Sequence, residues 1–209
     1  MSFDLSVIPN KNILLAVTGG IAAYKSAILV RRLKDAGFQV RVVMTEGAQA
    51  FITPLTFQAL SGNPVHTALL DPEAEAGMGH IELARWADLL LVAPASCNTI
   101  AKFAAGLADD LLSTLYLATK APVWVAPAMN QQMWAAKATQ RNLATLVEDG
   151  VHVIMPDAGA QACGDVGLGR MPEPEDLAHQ VTEYFHKAQR AMRSEERRVG
   201  KECEKMCRS

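Results

Sequence analysis

Asn12-Ile13-Leu14-Leu15-Ala16-Val17-Thr18, then Gly19-Gly20, then residues 21–36 form the stretch that decides the fold. The first part is a short apolar run of strand length that stops at two glycines. Beyond them Ala23, Ala27, Val30 and Leu33 recur at three- and four-residue spacing, which predicts a helix, while Lys25, Arg31, Arg32 and Lys34 fall on its other face. Gly37 is the stop signal of that helix. The same grammar repeats along the chain. Residues 38–44 read as a second strand, and residues 47–60 as a helical stretch interrupted by proline and closed by Ser61-Gly62. Residues 87–93 read as a third strand before Pro94, and residues 96–118 as a helix in two pieces broken near Gly106. A fourth strand over 122–126, a helix over 139–148, a fifth strand over 151–155 and a closing helix over 174–191 complete the pattern.

Strands that are apolar almost throughout are buried on both faces. Alternated with helices, they predict an α/β chain: a Rossmann-like or flavodoxin-like three-layer αβα sandwich around a parallel sheet. Ligands of such sheets sit beyond the carboxyl ends of the strands. The segments to inspect are therefore residues 18–23, 44–47, 93–99, 126–133 and 155–171.

The composition agrees with a globular domain: 209 residues, 50% apolar and 20% charged. A net charge of −2 gives no footprint for nucleic acid or for an anionic membrane. No apolar run approaches the roughly 18–20 residues of a membrane span, and the first residues lack the basic and apolar regions of a secretory signal, so a cytoplasmic setting is expected. Cysteines at 97, 163, 203 and 207 form neither a disulfide framework nor a metal site. From residue 193 the text changes: six Lys/Arg and four Glu fall in 17 positions. The run Arg193-Ser194-Glu195-Glu196-Arg197-Arg198-Val199-Gly200-Lys201-Glu202-Cys203 resembles the in-frame translation of a common sequencing adapter. Residues 1–192 are thus expected to be the domain, and residues 193–209 a disordered, non-native tail.

Each inspected segment carries unusual residues. At Thr18-Gly19-Gly20-Ile21-Ala22-Ala23, glycines let the backbone approach a phosphate, and the helix start offers free N–H groups. The run is neither the dinucleotide fingerprint nor a nucleotide P-loop, and a plain structural turn reads equally well. Ser96, Asn98 and Thr99 after the third strand are ordinary helix caps or a polar lip for a cofactor, with Thr45 a weaker case of the same. His80, in Gly79-His80-Ile81-Glu82-Leu83, has no partner at metal-ligand spacing. Asn130, in Pro127-Ala128-Met129-Asn130-Gln131-Gln132-Met133, is a helix cap or a binder of a planar amide or carboxylate. Cys163, in Ala162-Cys163-Gly164-Asp165-Val166-Gly167-Leu168-Gly169-Arg170-Met171, sits in a glycine-rich loop able to fold over a ligand. Its thiol suits acid–base or nucleophilic work, or is incidental.

Taken in order, these motifs, together with Trp86-Ala87-Asp88 and Ala93-Pro94-Ala95-Ser96, resemble the homo-oligomeric flavin-containing cysteine decarboxylases. Within that family the branch acting on 4'-phosphopantothenoylcysteine fits best. The resemblance runs from about Lys11 to about Val181. It departs at Cys97, where relatives carry a small residue, and it lacks the phosphopantothenate–cysteine ligase half that follows in bacterial bifunctional relatives. It implies FMN, held by Gly19, Gly20, Ile21, Thr45, Ser96, Asn98 and Thr99. It implies a homotrimer or an assembly of trimers in which His80 completes a neighbour's site. It also implies His80, Asn130 and Cys163 as catalytic residues, with Asn130, Met133, Gly164 and Met171 as the substrate clamp. The implied reaction oxidises the cysteinyl thiol to a thioaldehyde, loses CO2, and reduces the resulting enethiol to 4'-phosphopantetheine. Rival readings are a peptidyl-cysteine decarboxylase, a flavin prenyltransferase and a non-catalytic flavin-binding regulatory subunit.

Overall fold

The computed structural model describes residues 11–69 and 79–206, and side chains as far as Ala191. The chain alternates strand and helix. β1 (Asn12–Val17) leads to α1 (Ala23–Asp35), and β2 (Gln39–Met44) to α2 (Glu46–Gln49), α3 (Pro54–Ser61) and the two-residue β3 (Val65–His66). α4 (His80–Trp86) precedes β4 (Leu89–Ala95), and α5 (Cys97–Ala104) and α6 (Leu111–Ala118) precede β5 (Val123–Pro127). Then come α7 (Gln131–Ala135), α8 (Lys137–Glu148), β6 (His152–Val153), the strands β7 (Asp157–Ala160) and β8 (Val166–Arg170), and α9 (Pro174–Met206).

Six strands form one parallel sheet in the order β3-β2-β1-β4-β5-β6. The expected three-layer architecture holds, and the period-2 geometry of β1 shows why. Ile13, Leu15 and Val17 pack on one face with Leu29, Leu33, Leu177 and Val181 of α1 and α9. Leu14 and Ala16 pack on the other with Leu83, Phe103, Leu112 and Leu146 of α4, α5, α6 and α8. Both faces of the strand are dry, so its sequence shows no alternation. Without the short edge strand β3 the order becomes flavodoxin-like; with it the order is that of a doubly wound dinucleotide-binding sheet. In both, the chain reverses direction across the sheet between β1 and β4.

Four expectations require correction. Lys25, read as pointing away from the apolar face of α1, is 6% exposed. Its ammonium donates to the Met171 carbonyl at 2.9 Å and pairs with Glu173 at 2.8 Å, so partners 146 and 148 residues away draw it inward. The glycine-rich stretch over 162–171, expected to be a loop, forms the turn and second strand of an antiparallel hairpin, β7-β8, with Cys163 in the turn. β4 continues through a cis Ala93–Pro94 peptide to Ala95 instead of stopping before the proline. Finally, α9 runs on to Met206, well past residue 191. Glu, Arg and Lys are strong helix formers, and the charged residues continue the helix.

Candidate functional site

The reversal point between β1 and β4 is built by one buried hydroxyl. Thr18 follows directly on β1 and is fully buried. Its Oγ1 donates to the Pro94 carbonyl at 2.7 Å and accepts from the Ser96 N–H at 2.8 Å. Ser26 Oγ, one helical turn into α1, adds a bond to the Ala93 carbonyl at 2.7 Å. The loops after β1 and β4 are thereby tied into one lobe. Gly19 meets α2, just beyond β2: a Cβ there would lie 3.0 Å from the Gly47 backbone, so only glycine fits without a shift. Gly20 faces open space, and the N-terminus of α1 has no side-chain cap. The Ala23 and Lys25 N–H groups bond the Gly20 and Ala22 carbonyls, and no side chain claims the other donors at that end.

The facing wall comes from the segment after β5 and from the hairpin. The Met129 N–H donates to the Gly169 carbonyl at 2.9 Å. Gln161 clamps the two pieces: its Nε2 donates to the Met129 and Leu168 carbonyls, both at 3.3 Å, while its Oε1 accepts from the Gln131 N–H at 3.1 Å. The hairpin glycines serve this docking. A Cβ on Gly169, which has φ 135°, would meet the Met129 carbonyl oxygen, and one on Gly167 would meet Gln131.

Between the walls lies a cleft of about 480 Å³. It brings together Gly19, Gly20, Ile21, Ser96, Asn130, Met133, Cys163 and Met171 of the predicted set. Asn130 and Cys163 meet directly. Asn130 Oδ1 accepts from the Gln132 N–H at 2.8 Å, capping α7, and its Nδ2 reaches Cys163 Sγ at 3.4 Å and Asp165 Oδ2 at 2.9 Å. The cap reading of Asn130 therefore holds, and its Nδ2 faces the hairpin turn. Cys163 is exposed, with Sγ 3.6 Å from Asp165 Oδ2.

Other predicted residues lie outside the cleft of this chain. Asn98 is exposed on α5, Thr99 is 6% exposed with its hydroxyl 3.0 Å from Ser96 Oγ in the cap of that helix, and Thr45 stands at the start of α2. Gly164 occupies the hairpin turn at φ 91°. Met171 reaches the cleft but is 1% exposed and belongs to the core. His80 opens α4, with its Nδ1 buried and without a partner among the described residues. Thr18, Lys25 and Gln161 build the site and were missed. Thr18 had a signal, a polar residue closing an apolar strand. Gln161 and Lys25 act through partners that spacing does not reveal.

A family model described as Flavoprotein matches residues 4–186. The chain belongs to the flavoprotein family. Bacterial relatives are called "Coenzyme A biosynthesis bifunctional protein CoaBC". The Vibrio parahaemolyticus protein is 59% identical over 181 residues, 87% of this chain and 45% of its own length. The Bacillus subtilis protein is 48% identical over 176 residues, 84% of this chain and 43% of its own length. This flavoprotein thus spans somewhat under half the length of the curated relatives it matches. Among solved structures, a cysteine-to-serine mutant of PPC decarboxylase complexed with pantothenoylaminoethenethiol superposes with a TM-score of 0.75 at 34% identity, over 85% of this chain and 99% of the other. The FMN-dependent cysteine decarboxylase SpaF gives 0.67 at 34%, over 77% and 90%.

A flavin suits what the cleft offers. The uncapped start of α1 and the open space at Gly20 provide a backbone cradle for an anionic group. Ile21, Ala128 and Met129 add apolar wall for a flat ring. Among the described residues no helix is long and apolar enough to cross a membrane.

Proposed function

We propose that this flavoprotein uses FMN to decarboxylate 4'-phosphopantothenoylcysteine to 4'-phosphopantetheine, a step of coenzyme A biosynthesis, in the cytoplasm. The observation that carries this reading is the Asn130 carboxamide against the Cys163 thiol at the mouth of the cleft. The name of the CoaBC relatives supports the pathway, and the pantothenoylaminoethenethiol complexed with the PPC decarboxylase neighbour supports the substrate.

Gly19, Gly20, Ile21 and Ser96 would hold FMN, with Thr45, Asn98 and Thr99 at the lobe's edges. Bound there, the flavin supplies the two-electron redox chemistry that makes the cysteinyl thiol a thioaldehyde, the electron sink CO2 loss requires, and later reduces the enethiol. Asn130 offers an N–H donor to the substrate's carboxylate or amide, oriented because its oxygen is already engaged by the Gln132 N–H. Cys163 donates the proton that completes reduction. Met133, half-exposed beside Asn130, supplies apolar contact, and Gly164 lets the turn close.

His80 is assigned to a second subunit's site within a homotrimer. Helices that cross over between parallel strands start at the ligand edge of the sheet, and His80 is the first residue of α4, outside its own chain's cleft. Its Nδ1, without a partner among the described residues, supports a role completed elsewhere. Co-assembly of His80→Asn and Cys163→Ser chains, each inactive alone, should restore partial turnover.

The direct test loads the purified chain with FMN and follows CO2 and product by mass. Conversion of 4'-phosphopantothenoylcysteine, with Cys163→Ser halting at the enethiol two mass units below the product, is expected. A folded, FMN-loaded chain that releases no CO2 from this substrate refutes the reading. Turnover of a peptide C-terminal cysteine instead would favour the peptidyl-cysteine branch.

A further inference from the structure

The hairpin turn places a third polar group on the Asn130–Cys163 pair. One oxygen, Asp165 Oδ2, lies 2.9 Å from Asn130 Nδ2 and 3.6 Å from Cys163 Sγ. Asn130 Nδ2 and Cys163 Sγ are themselves 3.4 Å apart, so the three groups close a triangle. Its corners are fixed from outside. Asn130 Oδ1 is committed to the Gln132 N–H, which settles which end of the amide carries the hydrogens. The Asp165 carbonyl accepts from the Gln161 N–H at 2.7 Å, and the Gly164 N–H donates to the Gln161 carbonyl at 2.9 Å, so the turn holds the carboxylate in place.

We propose that Asp165 is a positioning residue that orients the Asn130 carboxamide and the Cys163 thiol as one unit. This rests on the functional reading above. An amide nitrogen carries two hydrogens. Asp165 takes one, which aims the other toward Cys163, where a substrate must sit if the thiol is to protonate it. The same carboxylate oxygen is the nearer acceptor of the S–H, at 3.6 Å against 3.9 Å for Gln161 Oε1, and so favours one resting direction for the thiol proton. Once that proton has gone to the substrate, the sulfur carries the negative charge, and the Asn130 hydrogen facing it is the donor that stabilises it. Asp165 acts only through these two side chains.

The test uses FMN-loaded wild type, Asp165→Ala and Asp165→Asn in anaerobic single turnover with enzyme in excess. Two products are counted by mass: 4'-phosphopantetheine, which leaves the flavin oxidised, and the enethiol, which leaves it reduced and bleached. In a parallel steady-state assay with substrate in excess, loss of the acceptor should raise KM about tenfold, the scale of one charge-assisted hydrogen bond. It should also raise the enethiol fraction in Asp165→Ala by a similar factor. Asparagine keeps an acceptor oxygen at the same position, so Asp165→Asn should restore most of the wild-type product ratio. Damage to the fold alone would lower CO2 release and FMN occupancy without changing that ratio. An Asp165→Ala ratio and KM equal to wild type overturn the proposal, as does equal impairment of the alanine and asparagine variants. A wild type that releases no CO2 overturns the functional reading itself, a result distinct from failure of Asp165 alone.

Discussion

Replacing Thr18 with valine tests the lobe that joins β1 to β4. Valine keeps the shape of threonine and removes only the hydroxyl. Thr18 is fully buried, and its Oγ1 serves the Pro94 carbonyl at 2.7 Å and the Ser96 N–H at 2.8 Å. Removal strands both groups. A buried polar group left unpaired costs about 1–3 kcal/mol. Pro94 lies in a fully buried strand, so its carbonyl bears the greater part, while Ser96 is half-buried and water recovers some of its bond. The expected loss is about 2–4 kcal/mol, which for a chain of this size lowers Tm by roughly 4–16 °C. Thr18→Ser keeps both bonds and gives up one methyl group, at about 1 kcal/mol. Thermal unfolding of the three proteins, each with and without FMN, measures the difference. The lobe also presents Gly19 and Ser96 to the cleft, so FMN affinity should fall more for valine than for serine. If valine proves as stable as serine and binds FMN as tightly, the strap is not what holds the lobe together.

Three further outcomes follow from local geometry. Burial pushes the Asp110 carboxyl up, but hydrogen bonds from Lys102 and Ser113 outweigh it and hold the carboxyl below its ordinary value. Its stabilising charge is therefore present above the ordinary carboxylate pKa and is lost as pH falls through the lower, folded value. Asp110→Asn keeps a capping oxygen and should cost under about 1 kcal/mol at pH 7, with the gap from wild type closing in acid during urea titrations below about pH 4. Gly169→Ala should detach the hairpin, because the new Cβ would collide with the Met129 carbonyl oxygen; proteolysis within residues 157–170 should speed up while the main sheet keeps its circular dichroism. Asn130→Asp sets a second carboxylate beside Asp165 and opposite the substrate's own, so KM should rise more than tenfold, and initial rates of CO2 release against substrate concentration on the FMN-loaded protein check this.

The sheet was legible because its strands are buried on both faces, and a run such as Leu89-Leu90-Leu91-Val92-Ala93 has no competing reading. The helices were legible by their spacing, with one systematic error: periodicity assigns every charge to the outer face. Lys25 breaks that rule because its partners, the Met171 carbonyl and Glu173, arrive from the far end of the chain. The hairpin was illegible for a different reason. Asp157-Ala158-Gly159-Ala160 and Val166-Gly167-Leu168-Gly169-Arg170 have neither an apolar run nor alternation, since they pair with each other outside the core. Their glycines read as loop freedom. In the structure Gly167 and Gly169 are places where another backbone or side chain sits too close for a Cβ.

That distinction bears on how the site is made. The side chains offered for chemistry, Asn130, Cys163 and Asp165, are all exposed or nearly so, and packing restrains them little. Their order comes instead from backbone bonds one layer beneath: Met129 to Gly169, Gln161 to Asp165, and Gln132 to Asn130. The hairpin that carries the thiol is in turn moored at its exit by buried Lys25, which belongs to the same helix whose open start faces the cofactor cradle. A single helix therefore fixes both walls of the cleft relative to each other. Lys25→Met should reveal this coupling: with the Met171 carbonyl and Glu173 released, the thiol wall should shift against the lobe. Substrate binding and FMN affinity should then fall together, although methionine touches neither ligand's polar groups. FMN affinity that survives intact while the hairpin loosens would mean that the two walls are held independently.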